Sequence, residues 1–188
     1  MARLRIIAGE FGGRFISADV GRATHPMGDR VRSAMFASLA SRGVLEGARV
    51  LDAFAGTGAV GLEALSRGAR QATFIERDKI AQRVLRDNVA SLGVQDCSVI
   101  INTTVSNWLN ARDLSDTYDL IFADPPYHNP QFSTVLRLFE ALKINGLMIL
   151  SSPERLPVPY PDKGVVVVDD FRRYGEATLA VFRKVKDL

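Results

Sequence analysis

Two histidines, one tryptophan and a single cysteine stand among the 188 residues of this chain, and each scarcity closes off a class of chemistry. Cys97 has no partner for an internal disulfide and lies just before the apolar run Val99-Ile100-Ile101. It reads as a packed thiol, in keeping with a reducing cytoplasm. Cysteine and histidine are too few for a zinc site, so no metal is expected. Long hydrophobic runs are missing too. Nothing approaches a membrane span, and the basic start Met1-Ala2-Arg3-Leu4-Arg5 has no signal-peptide core behind it. There is no internal repeat and no low-complexity tract. The 47% of hydrophobic and 24% of charged residues suit an ordinary globular domain, and the length allows one good core with a small appendage.

Lysine is absent from the first 42 residues, yet that stretch is basic. It holds seven arginines against Glu10, Asp19 and Asp29, a balance of +4 within a whole-chain net charge of +3. Arginine's planar fork matches phosphate oxygens better than a lysine point charge does, so a basic head on a near-neutral body points to an anionic polymer. Arg3, Arg5, Arg14, Arg30 and Arg32 are the candidate contacts. A solvated basic face would give the same pattern, so motif context has to decide.

Residues 3–20 read as two short strands around Gly12-Gly13, a hairpin signal. A loop containing His25-Pro26 leads into a helix over Asp29 to Ser41, with Val31, Ala34, Met35, Ser38 and Leu39 at helical spacing. Arg30 and Arg32 in its first turn oppose the helix dipole, which points to a ligand rather than to stability. From Arg49 a strand-helix rhythm sets in. Strands are expected over Arg49–Phe54, Gln71–Glu76, Ser98–Asn102, Tyr118–Ala123 and Gly146–Leu150. Helices are expected over Ala59–Arg67, from Asp78 to Gly93, and along the stripe Phe132, Val135, Leu136, Phe139 and Leu142, with Asn129-Pro130 as its cap. A proline-rich loop follows, then an antiparallel pair, Gly164–Asp169 and Ala177–Arg183, joined through residues 171–175. Alternating strands and helices imply an α/β, doubly wound, mostly parallel sheet with ligands at the strands' carboxyl ends.

Two motifs fall at those ends. Gly56-Thr57-Gly58-Ala59-Val60-Gly61 matches the dinucleotide pattern G-x-G-x-x-G between a strand and a helix, and Glu76, 18 residues after Gly58, is placed to hold a ribose. Asp52 argues against a dinucleotide, because a carboxylate at the end of the first strand repels a pyrophosphate. A cofactor with an ammonium and a sulfonium, S-adenosylmethionine, suits an acid there, unless Asp52 merely caps the loop. The second motif is Asp124-Pro125-Pro126-Tyr127. Two prolines cannot continue a sheet, so a carboxylate, the free Pro125 carbonyl and an aromatic ring project from a stiff turn. The two acceptors can hold both hydrogens of a base's exocyclic amine while the ring stacks on the base.

With these residues in view, the chain resembles the RsmD family of bacterial 16S ribosomal RNA guanine-N2 methyltransferases, within the class I methyltransferases. The likeness takes in Arg5-Ile6-Ile7-Ala8-Gly9 with Gly13-Arg14, the helix start Asp29-Arg30-Val31-Arg32, the stretch from Leu51 to Ala69, Phe122 to Tyr127, and Tyr174-Gly175. It implies a Rossmann-like sheet of seven strands, the last antiparallel, and S-adenosylmethionine as methyl donor. It further implies a guanine of small-subunit ribosomal RNA as substrate; the expected partner is that RNA within a small-subunit particle, and a monomer is expected rather than an oligomer. Residues 1–28 would form an RNA-binding extension and residues 29–188 the methyltransferase domain. Carried over by position, cofactor contacts come from Asp52, Phe54, Gly56 and Gly58, from Glu76 and Arg77, and from Thr104 and Val105. Asp124, Pro125, Pro126 and Tyr127 are the catalytic set. The family's Arg-Pro-Thr-Thr is replaced by His25-Pro26-Met27-Gly28, and its Asp after the third strand by Thr104, a weaker acceptor for an adenine amine. His128 and Trp108 are expected to cap and to pack. An adenine-N6 methyltransferase shares the amine chemistry, whereas protein-glutamine methyltransferases resemble Asn-Pro-Pro-Tyr. A non-catalytic, cofactor-binding RNA assembly factor is the alternative from another class.

Overall fold

A computed structural model describes residues 2–18, 27–113, 117–126, 131–152, 166–174 and 177–186. Strands β1 (Arg3–Arg5) and β2 (Phe15–Ser17) pair antiparallel, with Leu4 opposite Ile16 and Arg5 opposite Phe15. Helix α1 (Asp29–Ser41) follows, and then the alternating body begins. It runs β3 (Arg49–Asp52), α2 (Ala59–Ser66), β4 (Gln71–Glu76), α3 (Lys79–Leu92), β5 (Ser98–Asn102), α4 (Val105–Ala111), β6 (Tyr118–Ala123) and α5 (Phe132–Arg137). It closes with β7 (Leu142–Ser152), β8 (Val166–Tyr174) and β9 (Ala177–Lys184). These last seven strands form one sheet in the order β5-β4-β3-β6-β7-β9-β8, in which β9 alone runs against its neighbours. The expected doubly wound, mostly parallel sheet with an antiparallel final strand is present, beside the N-terminal hairpin.

Side chains alternate across each strand, and that alternation builds two cores. Val50, Phe74, Phe122, Ile149 and Val181 face one side, beneath Met35, Phe36 and Leu39 of α1, Leu62 of α2, and Leu85 and Val89 of α3. Ile6 and Ile16 of the hairpin belong to the same cluster. Leu51, Ile75, Ile121, Met148 and Phe182 face the other side, beneath Trp108 of α4 and Val135 of α5. Trp108 is buried and tilts against Tyr118 at 6.1 Å, the packing role expected of it. Among the described residues no helix is long and apolar enough to cross a membrane.

Local chemistry sets the helix ends. Asp78 caps α3 by accepting the N–H groups of Ile80 and Ala81 at 2.9 and 2.8 Å, and Gly93 closes it at φ 76°. Three boundaries differ from expectation. The buried stripe through Leu142 is cut short because a 3-10 turn, Leu138–Ala141, hands the chain to β7. β7 begins four residues before Gly146, across an irregularity in which Tyr118 pairs with Leu142 but Leu120 with Leu147. Asn145 there takes a left-handed φ of 65°, which is why the stretch reads as a turn. β8 continues through Arg172 and Arg173, expected in a connector, because a bulge between Val168 and Asp170 restores pairing with β9. Asn129 and Pro130 lie outside the described residues, but the helix does not take them as its cap: α5 starts at Phe132, with Gln131 in the N-cap position at a left-handed φ of 47°.

The hairpin is bound to the body through its own backbone. Glu63 on α2, fully buried, accepts the N–H groups of Ile7 and Ala8 at 2.7 and 3.1 Å and the Arg67 Nε–H at 2.7 Å. Ser66 Oγ accepts from the Phe11 N–H at 3.0 Å and donates to the Ala8 carbonyl at 2.6 Å. Asn88 on α3 accepts from the Ser17 N–H at 2.8 Å and donates to the carbonyls of Ser17 and Thr57, both at 2.9 Å. One amide side chain thereby ties β2 to the glycine loop.

Candidate active site

β3 ends at Asp52, which lies opposite Phe122 on β6. By alternation with Val50, the Asp52 side chain turns toward α2, where a carboxylate oxygen accepts the Gly61 N–H at 2.9 Å. A side chain at position 61 would not fit, since a Cβ would lie 2.3 Å from the Phe74 ring. Gly58 starts α2 at φ 84°, and a Cβ there would meet Leu85 at 2.3 Å. Gly58 is thus glycine because its backbone is left-handed and pressed onto the core, and Gly61 because the Phe74 ring leaves no room. From the tip of β4, Glu76 braces the same loop. One carboxylate oxygen accepts the Gly56 N–H at 2.8 Å, and the other those of Arg77 and Asp78 at 2.8 and 2.7 Å. A carboxylate accepts about four hydrogen bonds, so capacity remains for a hydroxyl.

Asp52 is only 4% exposed. Burial pushes its carboxyl up to about 7 against the Gly61 hydrogen bond, and the charges of Asp124 and Glu76 push the same way. Asp52 and Glu76 both hold backbone N–H groups of the glycine turn and the helix it opens, and Asp124 stands on the neighbouring strand tip. Pyrophosphate would be repelled there, while a ligand bearing an ammonium and a sulfonium would be attracted. Among the described residues no group of His, Cys, Asp and Glu is disposed to hold a metal ion.

Asp124 follows β6 on the strand tip next to Asp52. Ala123 is paired with Leu150, which brings Asp124 level with Ser151 of β7. The Ser151 hydroxyl donates to the Asp124 carboxylate, while burial raises the Asp124 pKa above the usual carboxylate range. Pro125 is buried and Pro126 half-buried. Tyr127 and His128 lie outside the described residues.

The other expected cofactor contacts divide. Thr104 caps α4, its hydroxyl accepting the Asn107 N–H at 3.2 Å. Val105 is 3% exposed and packs in the core, with half-buried Phe54 against the same cluster. Arg77 is exposed, beside Glu76.

Of the five arginines expected at a polyanion, Arg3, Arg5 and Arg30 are exposed. Arg14 is exposed as well, though its guanidinium donates to the Ser91 carbonyl at the end of α3 and lies 5.8 Å over the Phe11 ring. Arg32 is a correction. It is fully buried and donates to the Arg5 carbonyl and to Asp29 at 2.5 and 3.0 Å. It shares the inward face of α1 with Met35, Phe36 and Leu39, at i+3, i+4 and i+7, so the helix carries it into the protein. Burial lowers its pKa. It clamps α1 to the hairpin.

Ser151, Glu63 and Asn88 escape a motif-based reading. The first could be found by aligning the ends of adjacent strands; the others are polar residues on otherwise apolar helix faces.

The family model described as Conserved hypothetical protein 95 matches residues 4–183. Ribosomal RNA small subunit methyltransferase D of Haemophilus influenzae is 32% identical over 163 residues, covering 85% of this chain and 83% of that protein. The Escherichia coli K12 protein of the same name is 36% identical over 138 residues, covering 73% and 67%. The solved structure of Escherichia coli yhhF superposes with a TM-score of 0.86 at 29% identity, covering 98% of this chain and 99% of the other. Asp52 and Asp124 therefore stand at neighbouring strand tips of a fold whose sequence relatives are ribosomal RNA methyltransferases, and the chain belongs to the RsmD methyltransferase family.

Proposed function

We propose that this protein methylates the exocyclic N2 amine of a guanine in 16S ribosomal RNA, a finer reading of the ribosomal RNA methyltransferase activity of its relatives. In this reading it acts as a monomer, on RNA within a small-subunit particle in the cytoplasm. One observation carries the chemistry: Asp124, gripped by Ser151, lies at the strand tip beside Asp52 and the glycine loop. The acids around that loop fit S-adenosylmethionine, the cofactor of the family. Asp52 and Glu76 would hold its cationic and ribose groups. When bound, S-adenosylmethionine supplies an electrophilic methyl group on a positively charged sulfur.

The protein's own residues solve the remaining problem, the weak nucleophilicity of an amine whose lone pair is delocalised into the ring. A carboxylate oxygen of Asp124 accepts one amine N–H and the Pro125 carbonyl the other. Both interactions favour a pyramidal nitrogen with its lone pair free to react. Tyr127 stacks on the flipped base. Asp124 would also stabilise the positive charge that grows on nitrogen as its lone pair takes the methyl group and the carbon–sulfur bond breaks with its electrons left on sulfur, after which one amine proton is lost to solvent. Alignment supplies much of the acceleration.

Incubation of undermethylated 16S RNA with methyl-labelled cofactor, followed by nucleoside analysis, should yield N2-methylguanosine. Asp124→Asn should lower turnover roughly 100- to 10,000-fold and leave cofactor affinity within a few fold. Label on adenine N6 would overturn the guanine assignment. Cofactor binding with no transfer to any RNA or particle would make the protein a binder rather than an enzyme.

A further inference from the structure

We infer that the outward face of the N-terminal hairpin is a stacking site for an unpaired nucleobase, built by Phe15 beside the arginines of the paired strand. The inference rests on the RNA substrate proposed above and goes beyond it in naming the contact. Phe15 is 60% exposed, although it occupies a regular strand position in a hairpin whose other face is packed. Leu4 and Ile16 turn inward, and Ile16 is only 2% exposed. The alternate positions, Arg3, Arg5, Phe15 and Ser17, therefore share the outer face. Arg5 is the direct cross-strand partner of Phe15, and Arg3 is that of Ser17. Directly opposed residues lie within side-chain reach of each other, so an exposed ring has a guanidinium beside it and a second one a strand step away.

An aromatic face flanked by cations is complementary to a base flanked by phosphates. The ring offers sequence-tolerant stacking and the arginines neutralise the backbone. The base must be unpaired, because a base inside an A-form helix has both faces covered by its neighbours. The platform is also held in place before RNA arrives. Glu63, Ser66 and Asn88 fix the hairpin backbone on either side of Phe15, and the Arg32 guanidinium holds the Arg5 carbonyl from behind. Little ordering is left to oppose binding. The one acid in the connecting turn, Glu10, is exposed but lies off the paired strands.

The test is equilibrium binding of a single-stranded 16S RNA fragment, and of its duplex with a complementary strand, across a salt series. Phe15→Ala should weaken single-strand binding roughly 5- to 150-fold and leave both duplex binding and the salt slope unchanged. Arg5→Ala should instead reduce the slope of log K against log salt by about 0.7. Phe15→Trp should keep the affinity, and its fluorescence should be quenched by the single strand. Trp108 is 6% exposed and contributes a constant background.

Circular dichroism of Phe15→Ala should match wild type, since the side chain is at the surface. Wild-type methyl transfer accompanied by unaltered Phe15→Ala affinity would overturn the stacking site alone, as would an unquenched Trp at position 15. Weakened binding to the ribosomal particle without weakened binding to naked RNA would assign this face to a protein and overturn it too. Wild-type protein that neither binds nor methylates RNA would overturn the ribosomal reading and this inference together.

Discussion

A single hydroxyl, that of Ser151, holds the half-buried Asp124 carboxylate against the effect of desolvation. Burial raises the pKa of its carboxyl, and the Ser151 hydrogen bond opposes that rise. The form that accepts an amine N–H is the carboxylate, so activity should fall as pH drops through the raised pKa. The acid limb of kcat/KM should therefore lie above the usual carboxylate range. Ser151→Ala removes the opposing hydrogen bond, lifts the pKa further and should move that limb to higher pH, with cofactor affinity unchanged. Ser151→Thr should restore it. A pH profile identical to wild type would show that Ser151 only packs. Ser151 and Arg32 also mark the limits of what the chain discloses residue by residue. The Asp124 motif is legible because its prolines force a turn, but the residue that holds it arrives from a strand 27 positions later. Arg32 misleads in the opposite direction: charge suggests the surface, while its spacing from Met35, Phe36 and Leu39 puts it inside.

At the level of elements, the hairpin and the glycine loop behave as neighbours through Asn88. Its side chain is 2% exposed and satisfies three backbone groups, two on Ser17 and one on Thr57. Asn88→Ala removes the partner of all three, of which the Thr57 carbonyl is buried and the Ser17 groups half-buried, and a buried group left unsatisfied costs about 1–3 kcal/mol. The variant should unfold at lower urea concentration by at least about 1 kcal/mol, with faster amide exchange at Ser17 than at Ile75 in the centre of the sheet. Uniform loss of protection would argue that Asn88 supports the whole fold rather than this joint. Glu63 makes the same point about legibility. The helix after the glycine loop is readable from its apolar spacing, yet its buried acid serves a segment 55 residues earlier. No local pattern carries that information. The misplaced ends of β7 and β8 have a similar origin, since the pairing that defines them resumes across a bulge only when the partner strand is present.

For the whole molecule, the alternation of strands with helices is enough to read the sheet and its functional edge, because side-chain alternation sorts each strand between two cores whatever the loops do. What the pattern leaves out is the cost of burying an acid at that edge, to which the nearby charges of Asp124 and Glu76 add. Asp52 has a carboxyl at about 7 in the folded chain against an ordinary value of 3.8. Between those values the folded protein binds a proton that the unfolded chain has released. Stability without ligand should therefore fall as pH rises from about 4 to 7 and level off above. A cationic cofactor requires the ionised form, so its affinity should rise through the same window, with Glu76 and Asp124 as the other charges facing the site. The two trends should cross in thermal melts: at pH 8 the free protein melts lower than at pH 6, while the upward shift on adding S-adenosylmethionine is larger. Asp52→Asn, which keeps the shape and loses the charge, should flatten both trends and weaken cofactor binding at pH 8. Parallel pH dependence in wild type and variant would place the titrating group elsewhere, with Asp124 the next to test.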